Sequence, residues 1–317
     1  MSPASIRPWQ GGRRRVEWLR RACYGASSLA ALAFAGLLAL LVVESLPVWR
    51  AEGVAGFLLG ERWFFRAGEF GALPMLFGTA AVSGVALALA APVGVGAALF
   101  VAEVLPLVSD RARLAAKTAI ELLAGVPSVV YGLLGVLLLR DRVFDGLRWA
   151  GLEPLSGDTL LTGGVLLAVM ILPTVVTFSE DALRGVPGAD RRAARGLGLT
   201  RARTVLAVVL PRALPGIGAA LLLALGRALG ETIAVFLVVG RRDNQLPVSL
   251  APTDVARALA SGGQTITSKL GGAETFIAYG DPLHWGAILG LAVVLLAVVA
   301  GLTLASARML RRRGGAI

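Results

Sequence analysis

Pro215 to Gly240 reads PGIGAALLLALGRALGETIAVFLVVG. Crossing a hydrocarbon layer takes about 20 mostly apolar residues, so this run is long enough to span. Yet Arg227 and Glu231 stand near its middle. Each ionised group there costs roughly 2.5–3.5 kcal/mol on insertion scales. Both therefore need a reason to be present.

The chain around this run is built in the same way. Of 317 residues, 56% are hydrophobic and 16% charged, against about 25% charged in a soluble domain. Apolar runs at 25–46, 74–102, 116–139, 160–179, 213–239 and 283–307 predict an all-α polytopic membrane protein with six transmembrane helices. Pro92, Gly94 and Gly96 interrupt the second run, and Gly125, Pro127 and Ser128 the third. Membrane helices tolerate such residues where neighbouring helices re-satisfy the backbone, and small residues allow close approach. The first run is expected to be a retained helix rather than a cleaved signal, because Ala33-Phe34-Ala35 falls inside it rather than after it. The long connection 241–282 is rich in Gly, Thr and Ser and is expected to fold partly against the bundle mouth.

A net charge of +11 would suggest nucleic acid in a soluble chain. Here it is read as arginine-rich cytoplasmic loops, with no nucleic-acid partner. Twenty of the 31 lysines and arginines lie in the two tails and in or at the edge of the second-to-third and fourth-to-fifth connections; ten lie in the other three connections, and Arg227 alone is well inside a span. The positive-inside bias therefore puts both termini in the cytoplasm. The expected organisation is a cytoplasmic tail at 1–24, a first helix and outer loop at 25–70, a transmembrane domain at 71–310 and a short tail at 311–317.

Several chemistries are excluded. Cys23 is the single cysteine, so no intrachain disulfide forms. Neither Lys117 nor Lys269 follows a glycine, so no phosphate-binding loop of the GxxxxGK type exists. His284 is the only histidine and has no cysteine partner of zinc-site spacing; it is expected to cap the outer end of the sixth span, and no metal site is expected. An intramembrane enzyme needs a nucleophile with its base, or a metal. With neither in evidence it is a remote alternative, and no catalytic residue is assigned.

The fourth-to-fifth connection reads VPGADRRAARGLGLTRARTVLAVVLPRALPGI from Val186 to Ile217. A short amphipathic helix is expected at 193–206, arginines on one face and Ala194, Leu197 and Leu206 near the other. From charge alone it reads as an interfacial helix held by anionic lipid. The spacing reads differently. Arg192-Ala193-Ala194, then three residues and Gly198, then nine residues and Val208-Val209-Leu210-Pro211, resembles the EAA loop of ATP-binding-cassette (ABC) importer permeases. That loop starts with glutamate, where this chain has Arg192. Asp190, two residues earlier, would point elsewhere on a helix. The segments IELLAGVPSVVYGLLG (120–135), APVGVGAALFVAE (91–103), MILPTVVTFSEDALRGVP (170–187) and GRALGETIAVFLVVG (226–240) resemble phosphate-specific permeases. GETIAV and ILPTVVTFSEDAL are similar to the PstC type; a PstA-type subunit, or a type I importer permease for another anion, is the alternative.

The resemblance implies a type I importer permease with a cytoplasmic coupling helix at about 186–211, using Arg192, Ala193, Ala194, Gly198, Leu210 and Pro211. It implies a paralogous PstA-like permease, two ATP-binding subunits that use ATP with magnesium, and an extracytoplasmic phosphate-binding protein. No cofactor is expected on this chain itself. Arg227 and Glu231 are then substrate-path residues. Arginine stays charged at any depth and offers donors matched to phosphate. Read as one helix, Glu231 sits a turn beyond Arg227 on the same face and holds it when phosphate is absent. An ionised Glu231 also accepts the proton that phosphate keeps near neutral pH and repels sulfate, which has none. Thr232 offers a hydroxyl to the path or back-bonds to its own helix. Glu121 lines the path or pairs with a loop arginine. Ser128 stands where the third helix breaks and aims N–H groups at an anion, or simply marks a kink. Tyr131 is expected at a helix interface.

Overall fold

The computed structural model describes the backbone of residues 11–314 and the side chains of residues 17–310. Arg7, Arg13, Arg14, Arg15, Arg311, Arg312 and Arg313, counted above in the tails, fall outside the described side chains. The chain opens with helix α1 (Gly11–Ala51) and the short α2 (Gly53–Leu59), then a hairpin of two-residue strands, β1 (Trp63–Phe64) and β2 (Glu69–Phe70). Next come α3 (Leu73–Leu99), a π-helical turn (Phe100–Val104) and α4 (Leu105–Val108). The third run forms α5 (Asp110–Ala124), α6 (Ser128–Leu134), a second π turn (Gly135–Leu139) and α7 (Arg140–Trp149). The central helix α8 (Leu160–Arg184) leads to α9 (Gly188–Gly196), α10 (Arg201–Thr204), a third π turn (Val205–Val209), α11 (Leu210–Gly230) and α12 (Ile233–Val238). Three short helices, α13 (Pro252–Leu259), α14 (Ile266–Leu270) and α15 (Glu274–Ala278), precede the last long one, α16 (Pro282–Gly314).

Among the described residues, five stretches are long and apolar enough to cross a membrane: Glu17–Ala51, Leu73–Val108, Leu160–Arg184, Arg201–Gly230 and Pro282–Leu310. A sixth arises if α5 and the 128–149 segment are one span, bent by 85° at the break. The helical class and the six runs agree with the sequence. The third span differs in shape: Gly125 and Pro127 turn the chain sharply, and the Tyr131 hydroxyl donates to Leu123 O across the bend at 2.9 Å. Tyr131 also packs on the main core.

That core lies between α3, α8, α11 and α12. Small residues decide how closely these helices pass. A side chain at Gly164 would meet Val85 at 2.6 Å, and one at Gly94 would meet Val175 at 2.6 Å. α3 and α8 therefore lie in direct contact along their length and form one packed body. The end of α1 crosses the start of α16, with Gly286 against Glu44 and Pro47, and Gly290 against Val48 and Phe57. Side chains 17–37 of α1 are all exposed.

The 241–282 connection folds onto one end of the bundle, as expected, and joins α2 and the hairpin in a cap. Phe57, Trp63, Phe70, Met75, Ile266 and Ile288 form its apolar core. His284 does not cap α16. The Asp281 carboxylate accepts from the N–H of Leu283 and His284, while the His284 ring is buried and stacks on Phe65 and Phe70. Thr265 and Thr267 are 2% and 4% exposed, so they belong to the cap's interior.

Candidate functional site

The run that opened the reading is not one helix. α11 stops at Gly230; Glu231 has extended backbone (φ −74°, ψ 118°), and α12 restarts at Ile233. The Glu231 carboxylate turns to the new helix and accepts from Ala234 N at 3.3 Å, relieving one of its unpaired N–H groups. The expected arrangement of Arg227 and Glu231 a turn apart on one helix is therefore corrected. Among the described residues no ion pair joins them, and the exposed Arg227 side chain has no hydrogen-bond or ion-pair partner. Arg227 stands about 25 Å along α11 at 1.5 Å per residue. Glu231 is half-buried beside a cavity of about 10 Å³ walled by Thr79 and Ser83 of α3, Thr265 and Thr267, roughly the space of one water. The hydroxyls there are already engaged: Thr79 donates to Met75 O at 2.7 Å and accepts from Ile266 N at 2.9 Å, and Ser83 donates to Thr79 O at 2.6 Å. The Thr232 hydroxyl donates to Gly230 O at 3.4 Å, across the break to the end of α11 rather than back along its own helix.

The other path residues lie apart from this break. Glu121 is on α5, exposed, with no loop arginine against it among the described residues. Ser128 is the first residue of α6 and half-buried, and the first bonds of that turn run from Val130 and Tyr131 to Pro127 O.

The connection from Val186 to Pro211 also departs from the single helix expected at 193–206. α9 spans Gly188–Gly196, and Gly198 then adopts φ +81°, a left-handed conformation costly for residues with a Cβ. Thr200 caps α10, and the π turn leads into α11 with Leu210 and Pro211 at its start. Ala194 is buried, whereas Arg192 and Ala193 are exposed and Leu197 and Leu206 are 82% and 64% exposed. Asp190 pairs with Arg212, so it does not stand in for a glutamate at 192.

Two carboxylates at this end of the bundle escaped the sequence reading. Glu180 is 1% exposed and receives Arg113 at 3.1 Å, Lys117 at 2.9 Å and Arg184 at 3.4 Å. It fastens α5 to α8. Glu103 receives both contacts of Arg191, at 2.7 and 2.9 Å. Only the Glu180–Arg184 spacing, four apart on one helix, is visible in sequence. The remaining partners are 63 to 88 residues away.

The cap holds a third ionic group. Lys269 is 1% exposed and contacts Glu274 at 2.5 Å and Asp243 at 2.8 Å. Glu274 also accepts from Trp63 Nε1 at 2.5 Å and meets His284 Nε2 at 2.9 Å. Burial alone would raise the Glu274 pKa; the hydrogen bonds from Lys269 and Trp63 and the Lys269 charge outweigh it, leaving the carboxyl below the usual range.

Residues 92–313 match the family described as "Binding-protein-dependent transport system inner membrane component". The phosphate transport system permease protein PstC of Mesorhizobium japonicum is 33% identical over 281 residues, covering 84% of this chain and 81% of the relative. The probable ABC transporter permease protein YqgH of Bacillus subtilis is 37% identical over 193 residues (61% and 59%). PstC 1 of Mycobacterium tuberculosis is 37% identical over 220 residues (65% and 63%). By the family match and these relatives, the chain belongs to the inner membrane components of binding-protein-dependent transport systems, and within them to the PstC-type ABC importer permeases.

Proposed function

We propose that this chain forms half of the transmembrane pathway of an ATP-driven importer of inorganic phosphate, with Arg227 as the station that receives the anion. One observation carries the reading: an exposed guanidinium in the last turn of an apolar spanning helix, with no partner among the described residues. An uncompensated charge in such a helix is expensive, and an anion that docks and leaves offsets the cost only while bound. Relatives named as phosphate transport permeases support phosphate as that anion. The chain is a transport subunit, not an enzyme, and its family implies a separate ATPase.

A PstA-like permease supplies the other half of the pathway, and an extracytoplasmic binding protein delivers phosphate. Two ATPase subunits, using ATP with magnesium, dock on residues 186–211, where Leu197 and Leu206 offer exposed apolar surface. That loop and both termini lie in the cytoplasm, as the positive-inside bias supports. Glu121 and Ser128 are kept as path residues nearer the loop end. Glu231 needs no arginine to hold it in place; its cap to α12 positions the carboxylate at the break, where it reads the proton that phosphate carries.

The test is uptake by liposomes containing the complete complex and its binding protein. ATP-dependent accumulation of phosphate, little reduced by excess sulfate, is the expected result. Equal uptake of sulfate would assign the chain to another anion.

A further inference from the structure

We propose that Arg191 and Glu103 form the joint that carries movement of the loop into the transmembrane bundle; the inference rests on reading the chain as an ATP-driven permease. Arg191 Nη1 donates to both Glu103 oxygens, at 2.7 and 2.9 Å, and Nη2 donates to Leu183 O at 2.9 Å. The two side chains are 23% and 17% exposed. One guanidinium thus ties α9 to the π turn after α3 and to the last turn of α8, where carbonyls lack helical partners. The π turn is part of the device. An extra residue in a helix rotates everything beyond it by about 100°, and Glu103 lies within such a turn.

The partners of this joint move together. α3 and α8 are in direct contact at Gly94–Val175 and Gly164–Val85, so a displacement applied at Glu103 reaches Thr79 and Ser83, on the cavity wall beside Glu231. Asp190, the neighbour of Arg191, instead holds Arg212 at the start of α11, and that arginine side chain is 57% exposed. Exposed pairs contribute little, whereas a half-buried, charge-assisted contact whose guanidinium also holds a backbone carbonyl holds more firmly. Adjacent residues of α9 therefore grip unequally: α3 with α8 tightly, and α11, which bears Arg227 and shares an apolar cluster with α8 through Ala213 and Ile217, loosely. Loop movement therefore acts first on α3 and α8 and slides them along α11, changing the spacing between Arg227 and the Thr79 and Ser83 wall of the cavity. Arg191 and Glu103 are positioning residues and do not touch the anion.

The experiment measures phosphate uptake and ATP hydrolysis in the same liposomes holding the complete complex. Glu103→Gln is expected to assemble and hydrolyse ATP but to lower uptake per ATP about tenfold or more, as the loss of a covered charged hydrogen-bond partner does. Glu103→Arg with Arg191→Glu restores a large part of the ratio. A wild-type ratio in Glu103→Gln, or an exchanged pair no better than Arg191→Glu alone, overturns the proposal. Should Glu103→Gln not assemble, Arg191→Lys decides, because lysine puts a single nitrogen in place of the two that reach Glu103 and Leu183 O separately. A lowered ratio supports the joint and a wild-type ratio overturns it. A wild-type complex that takes up no phosphate counts against the transport reading only. The joint is then judged from the stimulation of ATP hydrolysis by the binding protein, which Glu103→Gln must lose.

Discussion

Arg227 and Glu231 are four residues apart, and in the proposed pathway the break between them gives them separate tasks. Arginine needs a partner it can exchange; a carboxylate bonded to it throughout would compete with the incoming anion. Glu231 is occupied by Ala234 N instead. Its proposed role in selection predicts that Glu231→Gln admits sulfate while keeping phosphate uptake, because glutamine caps α12 as well but carries no charge to repel a fully ionised anion. Competition of sulfate with labelled phosphate checks this. A Glu231→Gln complex as selective as wild type would remove Glu231 from selectivity. The two residues stood out in sequence because ionisable groups inside an apolar run are conspicuous. The break was not legible. GRALGETIAV contains no proline, and its glycines do not announce where a helix stops; what ends α11 is the backbone turn at Glu231 together with packing of α12 on α6 and α8.

At the scale of elements, the loop shows how motif spacing and structure divide the information. The spacing located Gly198 and Pro211, and each has a local reason: a left-handed turn for the first, the first turn of a helix for the second. It did not show that α9 ends at Gly196, because the amphipathic pattern continues past a glycine whose conformation only the fold dictates. Gly198→Ala is expected to cost about 1–2 kcal/mol of local stability from the left-handed φ alone, since no atom lies within 4 Å of the added carbon. The measurable consequence is weaker co-purification of the ATPase subunits. Retention equal to wild type would show that the turn's conformation does not govern docking. The third span was legible as interrupted, since Gly125 and Pro127 announce it. Its 85° bend was not, because the angle is set by Tyr131 and by the Glu180 cluster that holds α5 against α8.

Over the whole molecule, two ionic assemblies stand at opposite ends of the apolar core, one around the loop and one in the cap. The cap assembly sets a pH dependence. The Glu274 carboxyl is held below its ordinary value, so its contribution to stability is complete above the unfolded glutamate pKa of about 4.3 and is lost as pH falls through the lower folded value. Thermal unfolding of the purified protein in detergent is expected to shift down as pH is taken below about 4. Lys269→Met is expected to destabilise by about 3 kcal/mol near neutral pH, since it leaves a covered carboxylate without its cation. An unchanged unfolding temperature in that variant would contradict the assignment. None of this was readable from sequence, where Trp63, Asp243, Lys269, Glu274 and His284 are scattered over more than 200 residues. The core span pattern was readable, because burying apolar surface in lipid leaves a signature in every helix. Whether Arg227 receives the anion is decided by comparing ATP-dependent phosphate uptake by complexes carrying Arg227, Arg227→Lys and Arg227→Gln at matched assembly. Uptake is expected to be lost with glutamine and partly recovered with lysine, a point charge without the forked donors. Wild-type uptake by the glutamine complex would contradict this and leave Arg227 outside the path.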